Sequence, residues 1–196
     1  MKAIEINGIE YRNPLIVFAM KEEAGVLFNN FPLLFTGIGK INATYELTKA
    51  LATNTPDIVI NLGTAGSTLF NKGKVVCCHQ FVQRDMEVTA LGFEKFVTPF
   101  SHEKAILDFG IGLENFPLGI CGTGDSFETE HNNPEYNVID MEAYALALVC
   151  KKENIPFLCL KYISDGADGA AVEDWNIGVK KAAQALLDAI SLSNCG

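Results

Sequence analysis

A chain of 196 residues, 48% hydrophobic and 20% charged, is long enough to bury a core as one domain (1–196) without staples. Its net charge of −9, with only two arginines (Arg12 and Arg84), argues against a nucleic-acid partner, which needs clustered Lys and Arg. No apolar run approaches the length of a membrane span, so a membrane is not an expected partner either.

Taken in chain order, KAIEINGIEYR alternates apolar and polar residues around Asn7-Gly8, the favoured pair for a tight hairpin. LIVFAM (15–20) reads as a buried strand and 21–29 as a short helix. LLFTGIG (33–39) reads as a strand ending in glycines, followed by a helix from Ile41 to Thr53. DIVINLGTAGS is a buried strand closing in a glycine-rich turn, and 74–90 reads as extended strand. SHEKAILDFG suggests a helix opening at Ser101, with Ser as its N-cap. FPLGICGTGDSF is again a strand running into glycines. Residues 139–152 read as a helix, IPFLCLKYISD as a strand ending in an acid, and 172–192 as an amphipathic helix. Apolar strands alternating with helices imply an α/β fold, a single domain with a central mixed, mostly parallel sheet flanked by helices.

The six cysteines (77, 78, 121, 150, 159 and 195) show no CxxC pair and no zinc spacing, and read as small core residues or idle thiols. No metal site is expected. PLIVFAM is too short for a signal peptide and follows a polar segment, so a reducing cytoplasm is the expected compartment.

In α/β folds ligands gather at the carboxyl ends of strands. Those ends read AMKEEAG, TGIGK, NLGTAGS, CGTGDSF and YISDGAD. They bring Glu22, Glu23, Asp125, Asp165 and Asp168 toward one crevice, with Lys40 and Lys161 the nearest cations. Each has an ordinary reading alone. TGIGK lacks the GxxxxGK[ST] spacing of a P-loop, the two glutamates suit a helix N-terminus, and Asp165 and Asp168 suit N-caps. Five such ends together favour a site. Glu142 adds to it: in the helical reading its neighbours are Val138, Ile139, Ala145 and Leu146, an apolar side where a carboxylate needs a partner or a purpose.

These segments together resemble the nucleoside phosphorylase and nucleosidase superfamily, with the best match to the 5′-methylthioadenosine/S-adenosylhomocysteine nucleosidases. The matching pieces are AMKEEA (19–24), TGIGKINA (36–43), VINLGTAGS (59–67), DMEVTALGF (85–93), GDSF (124–127), DMEAYALALVC (140–150) and PFLCLKYISDGAD (156–168), in the family's order. The resemblance implies a nucleoside phosphorylase-like fold, no cofactor, and cleavage of the N-glycosidic bond of a small-molecule purine nucleoside. Asp165 matches the acid that protonates N7 of the leaving base, and Glu23 the carboxylate that activates water. Glu142 matches the residue holding the ribose hydroxyls, with Met141 beside the sugar and Phe127 stacked on the base. Met20, Ile38, Val88 and Trp175 match the pocket for the 5′-substituent. Thr64, Ala65, Gly66, Glu128 and Ser164 complete the implied substrate-binding set. Leu91, Phe93 and Pro99 match positions through which a neighbouring subunit completes the pocket, implying a homodimer.

The residues agree with that chemistry. Protonating a leaving base while water attacks requires two carboxylates in different protonation states, the logic of glycoside hydrolysis. Phosphorylases of the superfamily hold phosphate with arginine forks. AMKEEAG and NLGTAGS carry none, so water is the expected nucleophile. The sequence departs from the family at Asp140, where Glu is usual, at Glu128, where an aliphatic residue is usual, and in a shortened segment over 25–35. The alternatives are a futalosine-type hydrolase, a purine nucleoside phosphorylase and a non-catalytic nucleoside-binding protein.

Overall fold

A computed structural model describes residues 3–131 and 133–192. The chain opens with the hairpin β1 (Ile4–Ile6) and β2 (Ile9–Tyr11). Asn7 and Gly8 both take positive φ, 50° and 77°, as a two-residue turn of this hand requires. Next come β3 (Pro14–Phe18), α1 (Lys21–Ala24), β4 (Leu33–Phe35), α2 (Lys40–Leu51), β5 (Ile58–Gly66) and β6 (Val75–Gln83). A 3₁₀ turn at Thr89–Leu91 precedes β7 (Ile106–Asp108), β8 (Leu118–Thr123) and β9 (Val138–Asp140). The chain then forms α3 (Ala143–Glu153), β10 (Phe157–Asp165) and α4 (Ala171–Leu192).

Strands β3 to β10 form one eight-stranded sheet, separate from the hairpin. The pairs β3–β4, β3–β5, β5–β10, β6–β8 and β8–β9 are parallel, and β6–β10, β5–β9 and β6–β7 are antiparallel. The sheet is therefore mixed and mostly parallel. It curls until β9 meets β5 again, with Ile139 opposite Gly66. That single closing pair gathers the ends of β5, β8, β9 and β10 around one opening.

Alternation along the central strands sorts the core into two layers. Ile58, Ile60 and Leu62 of β5, with Leu158 and Leu160 of β10, face α4 and the hairpin; Leu186, Ile190, Ile4 and Ile6 pack there. Val59 and Ala65, with Phe157, Cys159 and Ile163, face Leu47 of α2 and Leu146 and Cys150 of α3. Phe18, Phe28, Phe81 and Phe157 are fully buried, and each such side chain contributes about 1.5–3 kcal/mol by its removal from water. Cys77, Cys78, Cys121, Cys150 and Cys159 are buried free thiols, and Cys195 lies outside the described residues. No helix among the described residues is long and apolar enough to cross a membrane.

Four expectations are corrected. The helix expected over 21–29 is the single turn Lys21–Ala24, and the extended strand expected over 74–90 ends at Gln83, before the 3₁₀ turn at Thr89–Leu91. No helix opens at Ser101: residues 106–108 instead pair antiparallel with β6, with Leu107 buried between exposed neighbours. A three-residue strand owes its existence to its partner, which local sequence does not display. The helix expected over 139–152 begins at Ala143, because Val138–Asp140 is strand β9. Glu142 is thus the residue preceding α3, not a member of its inner face.

Candidate active site

The opening at the strand ends is a cavity of about 410 Å³. Its wall includes Met20, Glu23, Ile38, Thr64, Ala65, Gly66, Phe127, Glu128, Met141, Glu142, Asp165 and Trp175. Ala19, Ser126, Ile139, Asp140 and Val172 also line it. Asp140 is the departure from the family pattern noted above; the other four are small or apolar and carry no chemical signature that sequence reading could weigh.

Glu23 reaches the cavity from α1, directly after β3, and is 3% exposed. Its Oε1 accepts from the Thr64 backbone N–H (2.8 Å) and the Thr64 hydroxyl (2.9 Å), and its Oε2 from the Met20 N–H (3.2 Å). The Thr64 oxygen in turn accepts from Trp175 Nε1 at 3.1 Å, tying α4 to the same carboxylate. A Cβ at Gly63 would lie 3.1 Å from Glu23 Oε1, so the strand has a bare Cα where the carboxylate rests.

Asp165 ends β10 and is 3% exposed. Ser164 Oγ donates to Oδ2 (2.8 Å) and the Ala167 N–H to Oδ1 (2.9 Å). Burial raises its pKa above the usual carboxylate value. The two hydrogen bonds oppose that shift, and the negative charges of Asp174 and Asp168 add to it. A Cβ at Gly66 would stand 2.6 Å from Asp165 Oδ1, so only glycine fits beneath this acid.

Glu142 occupies the β9–α3 junction and accepts from the Gly39 N–H at 2.8 Å. Gly39 has φ of +95°, a conformation suited to glycine, which aims this N–H across the cavity. Burial pushes Glu142 up to about 8, helped by the negative charge of Asp140. Asp140 is itself satisfied: Thr123 Oγ1 (2.5 Å), the Ala143 N–H (2.8 Å) and Lys161 Nζ (2.8 Å) all donate to it. Burial raises its pKa, but Lys161 and the hydrogen bonds outweigh burial and hold it below the ordinary aspartate value.

Four expected positions stand apart from this wall, together with Ser164, whose hydroxyl serves Asp165. Val88 precedes the 3₁₀ turn, Leu91 is 74% exposed, and Phe93 packs edge-on against Phe100, with Pro99 half-buried nearby. None of the four lines the cavity of the single chain. Of the two cations expected near the crevice, Lys161 is taken by Asp140, and Lys40 pairs with Asp85 and lies 3.7 Å from Asp125.

With the geometry in place, five likenesses bear on it. A family model described as the phosphorylase superfamily matches residues 32–191. The 5′-methylthioadenosine/S-adenosylhomocysteine nucleosidase of Haemophilus influenzae is 33% identical over 159 residues, covering 71% of this chain and 69% of that one. The nucleosidase of the same description from Anoxybacillus flavithermus is 31% identical over 157 residues, covering 69% and 68%. Among solved structures, the Helicobacter pylori 5′-methylthioadenosine/S-adenosylhomocysteine nucleosidase superposes with a TM-score of 0.81 at 20% identity, covering 91% of this chain and 97% of that one. The futalosine hydrolase of the same organism gives 0.81 at 20% identity, covering 91% and 96%.

Proposed function

This chain belongs to the phosphorylase superfamily and is an N-glycosyl hydrolase, and we propose that its substrates are 5′-modified adenosines of the methylthioadenosine or S-adenosylhomocysteine type. The observation that carries this reading is a pair of buried carboxylates, Glu23 and Asp165, set on one cavity wall in different environments.

In the proposed mechanism Asp165 carries the proton. Its raised pKa keeps the acid form available to protonate N7 of the purine as the C1′–N9 bond breaks. Electrons of that bond pass into the base, which leaves neutral. Glu23, held on both oxygens, orients a water molecule toward C1′ and takes its proton. Glu142 takes the ribose hydroxyls, Met141 lies against the sugar, and Phe127 stacks on the base. Ile38, Met20, Val172 and Trp175 make an apolar end suited to a thioether at the 5′ position.

Water is favoured over phosphate because neither guanidinium lines the cavity. Arg12 pairs with Glu10 in the hairpin and Arg84 is engaged by Ser126. An inorganic anion would also meet the Glu23 carboxylate with no free arginine fork to hold it. A homodimer is part of the same reading. Ile41 and Tyr45 are 80% and 61% exposed beside an open groove of about 930 Å³ between α2 and α3, and Leu91 and Phe100 are exposed on the 85–100 segment.

The test is release of free base from 5′-methylthioadenosine, S-adenosylhomocysteine, adenosine, inosine and futalosine, with and without phosphate. Adenine release without phosphate, fastest from a 5′-thioether, is the expected result. Faster release from futalosine would move the substrate to that class, and a strict phosphate requirement would overturn hydrolysis. Sedimentation at micromolar concentration tests the dimer.

A further inference from the structure

Arg84 follows β6 and its side chain is 7% exposed. Its guanidinium is spent on the segment after β8. Nη1 donates to Ser126 Oγ at 3.0 Å, and Nη2 to the carbonyl oxygens of Gly124 (3.3 Å) and Ser126. On the far side of Phe127, Glu128 brings Oε2 to 3.6 Å from Arg84 Nε. Both chain neighbours of Phe127 are therefore tied to one guanidinium, while the Phe127 ring itself, 46% exposed, lines the cavity. The segment is shaped around this arginine: a Cβ at Gly124 would stand 2.8 Å from Arg84 Cζ.

Glu128 is drawn the same way. Its Oε2 is buried without a hydrogen bond, and its Oε1 lies 3.8 Å from His131 Nδ1. Its charge also acts on Tyr136, whose hydroxyl is pushed up to about 12 by burial first and Glu128 second. Glu128 still lines the cavity, but its carboxylate faces Arg84, His131 and Tyr136.

We propose that Arg84 is a positioning residue for the purine base: gripping Ser126 and Glu128 on either side, it holds Phe127 at the cavity and draws the Glu128 carboxylate away from the base. The inference rests on the nucleosidase reading above. An aromatic platform serves binding only when its plane is set in advance, because ordering it afterwards costs affinity. Lysine cannot substitute fully, since one ammonium cannot reach Ser126 and Glu128 together as a planar fork does.

The experiment compares the full chain with R84A, R84K, S126A and E128Q, reading KM and kcat for 5′-methylthioadenosine. Adenine affinity is read from the fluorescence of the single tryptophan, Trp175, which lines the same cavity. R84A is expected to raise KM and the adenine Kd about 10-fold or more while kcat stays within about 3-fold, with R84K in between. Should R84A fail to fold, S126A and E128Q each remove one grip and are expected to raise the adenine Kd about 3-fold. An unchanged KM and Kd in R84A, or a fall in kcat at unchanged KM, would overturn the inference while leaving the nucleosidase intact. No base release by the unaltered chain would defeat the reading beneath it, and this inference with it.

Discussion

Lys161 Nζ lies 2.8 Å from Asp140 Oδ2, and the two side chains are 2% and 1% exposed. Neither could stay charged alone at that depth. Desolvation pulls Lys161 toward neutrality, but Asp140 reverses this and raises its pKa well above the ordinary lysine value. The pair keeps the floor of the site ionic and close to neutral overall. Breaking it from one side should be costly: K161M leaves Asp140 unpaired and is expected to lose about 3–5 kcal/mol in urea unfolding. K161M combined with D140N should recover most of that loss. A single variant as stable as the parent would refute the account.

Glu142 gives a stability signature in pH. Its folded pKa, about 8, is above the ordinary 4.5, with burial the largest cause and Asp140 next. Because the folded state holds the proton more tightly, its contribution is complete below pH 4.5 and is lost as pH rises toward 8. E142Q removes this titration and keeps an acceptor for the Gly39 N–H. Its melting temperature should match the parent near pH 4.5 and exceed it at pH 8 and above, by about 2–4 °C for each kcal/mol. A gap that does not change with pH would contradict the assignment.

Asp165 gives a kinetic one. If it donates the proton, kcat/KM falls as pH rises through its elevated pKa. D165N should lose that descending limb and lower kcat by about 10²–10⁴-fold. Adenine affinity, read by tryptophan fluorescence, should change far less. Retention of full activity would remove Asp165 from the mechanism.

Gly66 tests placement without touching a charge. G66A puts a Cβ within 2.6 Å of Asp165 Oδ1 and 3.2 Å of the Ala167 Cβ. The carboxylate must move, and a shift of about 1 Å at a reacting group is expected to lower kcat about 100-fold. Normal kcat in a folded G66A would show that the acid tolerates displacement.

Much of this was legible in the sequence. Apolar strands ending in glycine and acid announced β3, β5, β8 and β10, because burial on both faces and a tight exit leave composition little freedom. Glu23 and Asp165 were visible as acids at such exits. Glu142 has apolar neighbours in sequence, but no helix surrounds it: what places it is the switch from β9 to α3. Such a switch is decided by pairing with β8, 15 or more residues upstream, which no local window contains. Val88, Leu91, Phe93 and Pro99 find no place on the cavity wall of one chain.

The two supporting glycines lie on the same strand. Gly63 underlies Glu23 and Gly66 underlies Asp165, three residues apart on β5, or about 10 Å at roughly 3.3 Å per residue. In the proposed mechanism β5 therefore acts as a ruler, with the water side marked at one graduation and the leaving-group side at another. An insertion or deletion of one residue inside β5 would rescale it.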